Sequence, residues 1–474
     1  MKKFFQLSIL ALTLGLLNTG CNDSFLEIIP PDAIPEDQFL ASAKDLRQVL
    51  NGSYDALTYS GAYGGMSWFI SDLMADHVSE LSAKGNLDWN AHYTRTTDNF
   101  LGTTRGMMTD FGKTIGRANY VLDRLDKFEM TQDEKNKMKG EALFLRAVAH
   151  FELVRHFAQP YGYTGDNSHL GVAIHLKYSP DALDRSTVKQ VYDQVIADLN
   201  EAVTLLPASN PATSVPVGAA TNPQWANAMA AKGFLAKVYF QMNDFSNCLK
   251  NINDITSSGM FTFDDSLFTD SLHARFSKFG TTEAVFALTS VDFGSDNSGG
   301  TIRNIYSKGN LQGGKLSEYI AQRMTIEPND KRGKKWVNGN ILTKFLDRDV
   351  QTQMQVTVLH LTELMLMKAE CMAEGDGDLT EAAALINKIN VRAGVPQIST
   401  LSKSIVIAEA RKQRELEMVG EGNRFHELKR QAVRDNPNLL IRGSIWNCNG
   451  MVNQIPDNEL TGNPNMKPNP VGGC

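Results

Sequence analysis

One segment constrains the fold of this chain more than any other. Residues 133–158 have helical periodicity, with apolar side chains on almost every face: Leu143 and Ala147 lie on one side, and Phe144 and Val148 lie beside them. A helix without a polar face is buried between neighbours, so we expect more than one layer of helices. The 474 residues, 42% of them hydrophobic, are enough for one large core or for two or three packed subdomains.

Helical spacing recurs along most of the remaining chain. A Phe-Leu-x-x-Val segment at 144–148 recurs at 234–238, although no fixed repeat period appears. Helix pairs joined by short turns favour stacked helical hairpins and a mainly α fold class. The predicted helices cover roughly 36–59, 102–127, 133–158, 187–205, 225–241, 244–256, 354–374, 379–393, 404–419 and 423–432.

Two regions lack long helical stripes. Residues 257–350 are rich in Gly, Ser, Asp, Asn and aromatic residues, which predicts a loop-rich insertion with short strands or turns. Residues 433–474 are rich in Asn, Pro and Gly and are predicted to be coil. Gly394 is the predicted C-terminal cap of the helix before it. The expected domain, 36–474, therefore divides into an N-terminal helical part (36–256), the insertion (257–350), and C-terminal helices with a coil tail (351–474).

The first twenty residues have the features of a targeting segment. Two lysines precede the apolar run 4–17, which has the length of a signal-peptide core and falls short of the roughly 20 residues that span a membrane. The small residues before Cys21 resemble the lipobox of bacterial lipoproteins, although Asn18 stands where that motif usually has leucine. We therefore predict a lipoprotein signal peptide over 1–20 and a tether over 21–35.

Cys21 is the predicted lipid-modified residue. Several acyl chains on one cysteine would hold the protein firmly to a membrane, because two chains suffice where one is marginal. An ordinary secretory signal followed by an unmodified cysteine is the alternative. The residues after Cys21 are Pro-rich, which favours an extended tether because proline disfavours helix in the residue before it.

Charge and cysteine spacing exclude several kinds of protein. The formal net charge of -6, without a run of Lys or Arg, argues against a nucleic-acid partner. The cysteines match no zinc or redox motif, and Cys248 and Cys371 lie in apolar helical patterns typical of buried side chains. Cys448 and Cys474 could pair in an oxidising compartment, but their positions alone do not decide whether they do.

Several distinctive segments follow one another along nearly the whole chain. They are CNDSFLE at 21–27, NGSY at 51–54, KGEALFLRA at 139–147, RSTV with the later Tyr and Asp-Leu at 185–199, KAE at 368–370, INVRAG at 389–394, REL at 414–416, EGNRF at 421–425, and IPDNEL with NPN at 455–465. In this order they resemble the SusD/RagB family. Glu427 stands where the family usually has aspartate, and Asn390 stands where it usually has arginine.

This resemblance implies a TPR-like scaffold of helical hairpins with an inserted, loop-rich ligand face. It also implies a lipid-anchored protein exposed on the outer membrane of a Gram-negative bacterium. Such a protein captures a glycan and delivers it to a TonB-dependent, SusC-like barrel. One branch of the family resembles peptide importers, so a peptide is the alternative ligand. The resemblance implies neither enzymatic activity nor a cofactor.

A glycan-binding face combines aromatic rings, which pack on the C–H faces of sugars, with polar groups that bond their hydroxyls. Stretches 66–95 and 303–340 have this mixture. The alternative is that their aromatic rings pack in the scaffold. The predicted ligand-binding residues are Trp89 and Tyr93 as stacking rings, Asp76 and Asn90 as hydroxyl partners, and Trp68, Tyr306, Tyr319 and Trp336.

Catalytic and metal-binding motifs are absent from the sequence. There is no nucleophile elbow, phosphate loop, dinucleotide fingerprint, calcium loop or His-x-x-x-His spacing. The charged residues Arg414, Glu415, Glu421 and Arg424 stand at helical spacing, which favours structural ion pairs over acid–base catalysis. A helical glycoside hydrolase would need two carboxylates flanking the bond, and no distinct pair is seen. The sequence therefore favours a glycan-binding protein first and a peptide-binding protein second.

Overall fold

The computed structural model describes residues 40–211, 221–268, 274–276, 281–290, 302–307, 314–345 and 354–474. The chain divides into two compact units, Met1–Leu46 and Arg47–Cys474. In the first unit, the described residues contain the beginning of helix α1, where the Ser42 hydroxyl accepts from the Asp45 N–H at 3.4 Å. The predicted signal peptide, Cys21 and the tether lie outside the described residues.

Helices form most of the described residues between 40 and 257. Side-chain caps begin two of the longer helices: Thr131 with Glu134, and Thr187 with Gln190, form capping boxes that satisfy free backbone N–H groups. The helices are α1 (Ala43–Leu57), α2 (Met66–Met74), α3 (Glu80–Lys84), α4 (Leu87–Thr94), α5 (Gly102–Leu122), α6 (Gln132–Phe157), α7 (Val188–Leu205), α8 (Ala228–Gln241) and α9 (Phe245–Ser257).

Helix α6 is the centre of this part, as its apolar faces predict. The Phe144 ring lies 5.3 Å from the ring of Phe234 and 4.9 Å from that of Phe286, measured between centroids. On another face, the Arg146 guanidinium forms two 2.8 Å bonds with the buried carboxylate of Asp198 on α7. The prediction that this helix is buried between neighbours is confirmed.

The insertion contains short elements. Strand β1 (Ala284–Ser290) is followed by α10 (Ile302–Ser307), α11 (Glu318–Thr325), α12 (Lys331–Trp336) and the two-residue strands β2 (Val337–Asn338) and β3 (Ile341–Leu342). Strand β4 (Met354–His360) then pairs antiparallel with β1.

The prediction of one helix over 354–374 is wrong at its beginning. Residues 354–360 form β4, and helix α13 (Leu361–Glu374) begins only after His360, whose side chain caps it by accepting from the Glu363 N–H. The β-branched residues Val356, Thr357 and Val358 suit a strand that lies against β1. An apolar run of this length reads equally well as buried helix in the sequence.

The C-terminal part returns to helices. They are α14 (Leu379–Ala393), α15 (Lys403–Glu417) and α16 (Arg424–Arg434), and Gly394 ends α14 in the left-handed conformation, as predicted. The tail was predicted to be coil, but it contains the hairpin β5 (Leu440–Ile441) and β6 (Ser444–Ile445) and the short helix α17 (Asp457–Gly462). Cys448 and Cys474 form a disulfide, while Cys248 and Cys371 are free and buried.

Successive helices pack on one another along the chain. Helix α5 packs on α6, α6 on α7, α7 on α8, α8 on α9, α9 on α13, and α13 on α14 and α15. This neighbour-to-neighbour order is that of stacked helical hairpins, so the predicted mainly α fold is confirmed. Within the described part of the chain, no helix combines the length and apolarity that crossing a membrane requires.

Candidate functional site

The C-terminal end of α2 is capped by two arginines from distant segments. Arg442, in the β5–β6 hairpin, donates from Nε to the Ala75 carbonyl at 2.5 Å and from Nη2 to the Leu73 carbonyl at 3.2 Å. Arg95, at the end of α4, donates to the Met74 carbonyl at 3.4 Å. Cations favour the C-terminus of a helix, where carbonyl groups lack helical partners.

Both arginines are held in a backbone conformation that non-glycine residues rarely adopt. Arg95 has φ of 61° and Arg442 has φ of 47°, and Gly443 follows at 83°. Positive φ at two successive residues gives the type I′ turn of a two-residue hairpin, which usually has Asn-Gly rather than Arg-Gly. Such a backbone conformation costs about 1 kcal/mol or more, and it persists only where surrounding contacts compensate for the cost. The positions of these two side chains are therefore set by the structure around them.

Asp76 follows this helix end and binds Arg424, the first residue of α16. Arg424 donates from Nε and Nη2 to the two Asp76 carboxylate oxygens, both at 2.8 Å. Its Nη2 also lies 3.1 Å from Glu415 Oε1, and the Tyr319 hydroxyl donates to that oxygen at 2.9 Å. Arg323 binds the other Glu415 oxygen at 2.9 Å. We call Asp76, Tyr93, Tyr319, Arg424 and Arg442 the capped-helix site.

Electrostatics keep the acidic groups of this site ionised. Burial favours the neutral form of Glu415, but the hydrogen bond with His77 and the charges of Arg424 and Arg323 lower its pKa to about 2. Burial likewise opposes ionisation of Asp76, and the Arg424 guanidinium lowers its pKa below the ordinary value. For Tyr319, burial, opposed by Arg424, raises the pKa to about 12, so the hydroxyl stays a donor.

Tyr93 is joined to the same helix end through Arg442. The Arg442 guanidinium carbon is 3.8 Å from the centroid of the Tyr93 ring, and Arg442 Nη2 donates to the Tyr93 carbonyl at 2.7 Å. The ring is therefore fixed by a cation–π contact. Asn90 lies one turn earlier on α4 and is half-buried. Tyr319, which is 41% exposed, and the half-buried Tyr93 thus each contact an arginine of this helix end.

A cavity of about 250 Å³ adjoins the site on the side of Arg323. Its walls come from α11, α12, α15 and the loop after α14. Most lining groups are polar or charged, among them Glu327, Lys412 and Gln413 beside the exposed Ile326. Because Arg323 borders both the cavity and Glu415, a ligand longer than one small ring could contact both places.

Four of the predicted ligand-binding rings are buried instead of presented to solvent. Trp89 is 7% exposed and packs on Phe69 at 4.6 Å between ring centroids, and Tyr306 packs on the same ring at 5.5 Å. Trp68 is 5% exposed and covered by Gly422, and Trp336 is buried against Phe268. These four rings serve the scaffold in this structure, which was the alternative reading of the pattern.

For Trp68, Trp89 and Tyr306 the reason is helix α2, which the sequence did not predict. Every residue from Ser67 to Met74 is buried, so the aromatic rings on α2 and against it are drawn into the core. Asp72, also buried, accepts from the Tyr306 hydroxyl at 2.7 Å and from the Gly420 N–H at 3.1 Å. Polar residues that resembled a binding loop are thus hydrogen-bonded inside the protein.

Sequence reasoning missed the three arginines of this region as ligand-site candidates. Arg424 was read only as part of a structural ion-pair cluster, and Arg323 and Arg442 were not singled out. The Arg442-Gly443 dipeptide lies between two short apolar runs, a pattern that predicts a β-hairpin with Arg442 in its turn. The reading of the Arg414–Arg424 cluster as ion pairs is confirmed, since Arg414 binds Glu363 and Glu427, and Glu421 binds Lys344.

Asp76, His77 and Glu415 are close enough to share a metal ion. His77 Nε2 lies 3.4 Å from Glu415 Oε1 and 3.8 Å from Asp76 Oδ1. Both carboxylates are already neutralised by Arg424, however, so a cation would have to displace that guanidinium. The donor set therefore suits hydrogen bonding to a ligand better than metal coordination.

The fold and the site together define a helical-repeat protein with a polar candidate site, in which no nucleophile is paired with a base among the described residues. A family model described as starch-binding and associating with the outer membrane matches residues 24–240, and the SusD family model matches residues 306–471. The chain belongs to the SusD/RagB family, as its ordered motifs predicted.

Individual relatives resemble the chain over most of its length. SusD-like protein P2 of Formosa agariphila is 22% identical over all of both chains. A SusD superfamily protein of Bacteroides fragilis has a similar structure, with 22% identity, a TM-score of 0.77, and coverage of 90% of this chain and 100% of that one. A laminarin-binding SusD-like protein has 19% identity, a TM-score of 0.68, and coverage of 91% and 100%. These structural likenesses support the TPR-like helical fold.

Proposed function

We propose that this protein binds an oligosaccharide or polysaccharide at the capped-helix site. The observation that carries the proposal is that two aromatic rings contact the arginines at this helix end: Tyr93 contacts Arg442, and Tyr319 contacts Arg424 of the Asp76 ion pair. The cavity bordered by Arg323 adjoins them. Aromatic rings pack on sugar faces, and ionised groups make strong hydrogen bonds to hydroxyls. The starch-binding description of the family model and the laminarin-binding relative support a glycan as ligand.

Binding without cleavage follows from the charges of the site. A glycosidase needs one protonated carboxyl group as general acid and a second carboxylate opposite it. At neutral pH both Asp76 and Glu415 are ionised, because the pKa of each is lowered by Arg424. Neither can supply the proton, so their role is to hold arginine side chains in place for hydroxyl groups. Asn90 remains a proposed hydroxyl partner beside Tyr93.

Replacing Tyr319 or Tyr93 by alanine should weaken glycan binding about fivefold each, because a lost ring contact costs about 1 kcal/mol. Titration calorimetry with laminarin, starch and a panel of shorter oligosaccharides measures this, with product analysis to detect cleavage. Tyr163→Ala is the matched control, since Tyr163 is also 41% exposed and packs on His169 and Trp446.

Three results would count against the proposal. Equal affinity in the Tyr319 and Tyr93 variants would place the ligand elsewhere. Binding of a peptide pool but of no glycan would select the alternative, a peptide-importer component of the RagB type. Released sugar products would indicate an enzyme.

The family also suggests where the protein acts and with which partner. We propose that residues 1–20 are a lipoprotein signal peptide, that the tether 21–35 begins at an acylated Cys21, and that the domain over 36–474 is exposed on the outer membrane. There it would deliver glycan to a TonB-dependent, SusC-like barrel. The family model described as associating with the outer membrane supports this location.

Cys21→Ser should release the protein from the membrane, since the acyl chains attach through that sulfur. Fractionation of the producing bacterium, with protease accessibility of whole cells, measures attachment and surface exposure. Cys248→Ser is the control, because Cys248 is a free, buried cysteine within the domain. Undiminished attachment of the Cys21 variant would contradict the anchor.

A further inference from the structure

A second cavity of about 250 Å³ lies away from the capped-helix site. It is enclosed by helix α5, the segment 172–179, and the C-terminal residues between Ile455 and Met466. None of the predicted ligand-binding residues lines it. The walls are mostly apolar side chains, which include Met108, Ile115 and Leu153. Apolar walls with few polar groups are the usual lining of a small-molecule site, and the volume suits a compact ligand.

Two glycines form the floor of this cavity. Gly112 and Gly116 stand four residues apart on α5, so they lie one above the other on the same face of the helix. A Cβ added at either position would meet nothing within 4 Å. Glycine inside a helix costs roughly 0.5–1 kcal/mol relative to alanine. Since no neighbouring atom of the described chain requires glycine here, the space that the two residues leave open is available to a bound molecule.

The polar groups of the cavity determine which charge on a ligand is favoured. The Glu459 carboxylate is half-buried and has no ion-pair partner among the described residues. Burial raises its pKa. The His175 ring also lines the cavity, and burial lowers its pKa, which favours the neutral form. Lys177 lies at the exposed rim, where water solvates its charge.

An aromatic ring stands at the mouth. Tyr178 is 57% exposed, and its ring lies 5.0 Å from the Tyr120 ring between centroids. The Arg124 guanidinium carbon is 3.7 Å from the Tyr120 ring centroid and 5.6 Å from that of Tyr178, which fixes the two rings from the outside. A rigid ring therefore borders an apolar chamber that holds one uncompensated carboxylate.

We infer that this cavity binds a compact apolar molecule that carries a protonated amine. The apolar body lies over Gly112 and Gly116 between Met108, Ile115 and Leu153, and the ammonium group pairs with the Glu459 carboxylate. The site is independent of glycan binding, because it shares no residue with the capped-helix site.

Three probes of the same shape test the charge preference: 2-phenylethylamine, 2-phenylethanol and 3-phenylpropionate. Saturation-transfer NMR and calorimetry on the full folded protein should show the amine binding about tenfold more tightly than the alcohol, with the acid weakest. Glu459→Gln should bring the amine and the alcohol to similar affinity. An acid that binds as well as the amine, or an unchanged preference in the Glu459 variant, would overturn the inference.

Gly112→Leu and Gly116→Leu test whether the amine binds in this cavity, because a leucine side chain at either position fills it. Both should abolish amine binding while glycan binding is retained. Gly116→Ala separates loss of the site from loss of the fold. It should raise the melting temperature, because alanine favours helix, and it should still weaken amine binding. Gly106→Ala is the matched control on the same helix, because its Cβ would meet only Gly61 at 3.9 Å. Full amine binding by both leucine variants would refute the site.

Discussion

Glu417→Gln should lower the free energy of unfolding by about 3–5 kcal/mol, the cost of removing one partner from a buried ion-pair network. Glu417 is fully buried at the end of α15. Its Oε2 lies 3.0 Å from Arg392 Nη2 and 3.4 Å from Arg275 Nη2, and its Oε1 lies 3.4 Å from Arg332 Nη1. Without this charge, three buried guanidinium groups lose one of the carboxylates that neutralise them.

The network explains why one carboxylate matters so much. Glu283, at the start of β1, accepts from Arg392 Nη1 at 2.5 Å and from the Thr362 hydroxyl at 2.7 Å. Lys344 donates to the Glu417 and Val419 carbonyls and to Glu421. The insertion is thereby joined to α13, α14 and α15 through charges that have no access to water.

Chemical denaturation of Glu417→Gln and of a surface control measures the difference. The control is Asp193→Asn, because Asp193 pairs with Lys189 at 2.7 Å where both side chains are more than half exposed. Such exposed pairs contribute about 0–1 kcal/mol. Equal stability of the two variants would mean that the buried network adds nothing.

The same carboxylates predict acid sensitivity. Burial opposes ionisation of Glu283, but Arg392 and Arg275 lower its pKa from 4.5 to about 2, and the pKa of Glu417 is lowered as well. A group whose pKa is depressed by folding stabilises the protein above its unfolded pKa. That stability should therefore be present at neutral pH and decline as the pH falls from about 4.5 toward 2. In Glu417→Gln the decline should be shallower.

Breaking the disulfide should have the second-largest effect. Cys448→Ser or Cys474→Ser should cost about 3–4 kcal/mol, because the bond closes a loop of 26 residues and restricts the unfolded chain. The closed segment also carries buried contacts: Asn469 donates to the Phe157 carbonyl at 2.9 Å and to the Asn453 carbonyl at 2.7 Å. Opening the loop lets this segment detach from α6.

Thermal and denaturant unfolding of both single variants and the double variant provide the measurement. All three should be destabilised equally, since each removes the same bond, and reduction of the unchanged protein should reproduce the loss. Cys371→Ser reports separately on a buried, unpaired cysteine. A double variant much less stable than either single variant would show that packing around the sulfurs, and not the cross-link, carries the effect.

Only some of the residues predicted from sequence to bind a ligand lie at the candidate site. Asp76, Tyr93 and Tyr319 were among the predicted residues, and the structure brings them together around the end of α2. Trp89 and Trp68 stood in the same stretch of sequence and are buried. Aromatic residues next to Asp and Asn have the same pattern whether a helix turns them inward or a loop turns them outward, so composition alone could not separate the two groups.

What the sequence determined by itself is local. Helical periodicity located α5 to α9 and α14 to α16 within a few residues, but it assigned the strand residues 354–360 to α13. Gly394 gave the end of α14, because spacing and caps act over one or two turns. Only the tertiary structure decided which rings face water and which charges meet. Arg442 reaches the Ala75 carbonyl across 367 positions of chain. A contact of that range depends on the packing of every element between the two residues, which no local pattern records.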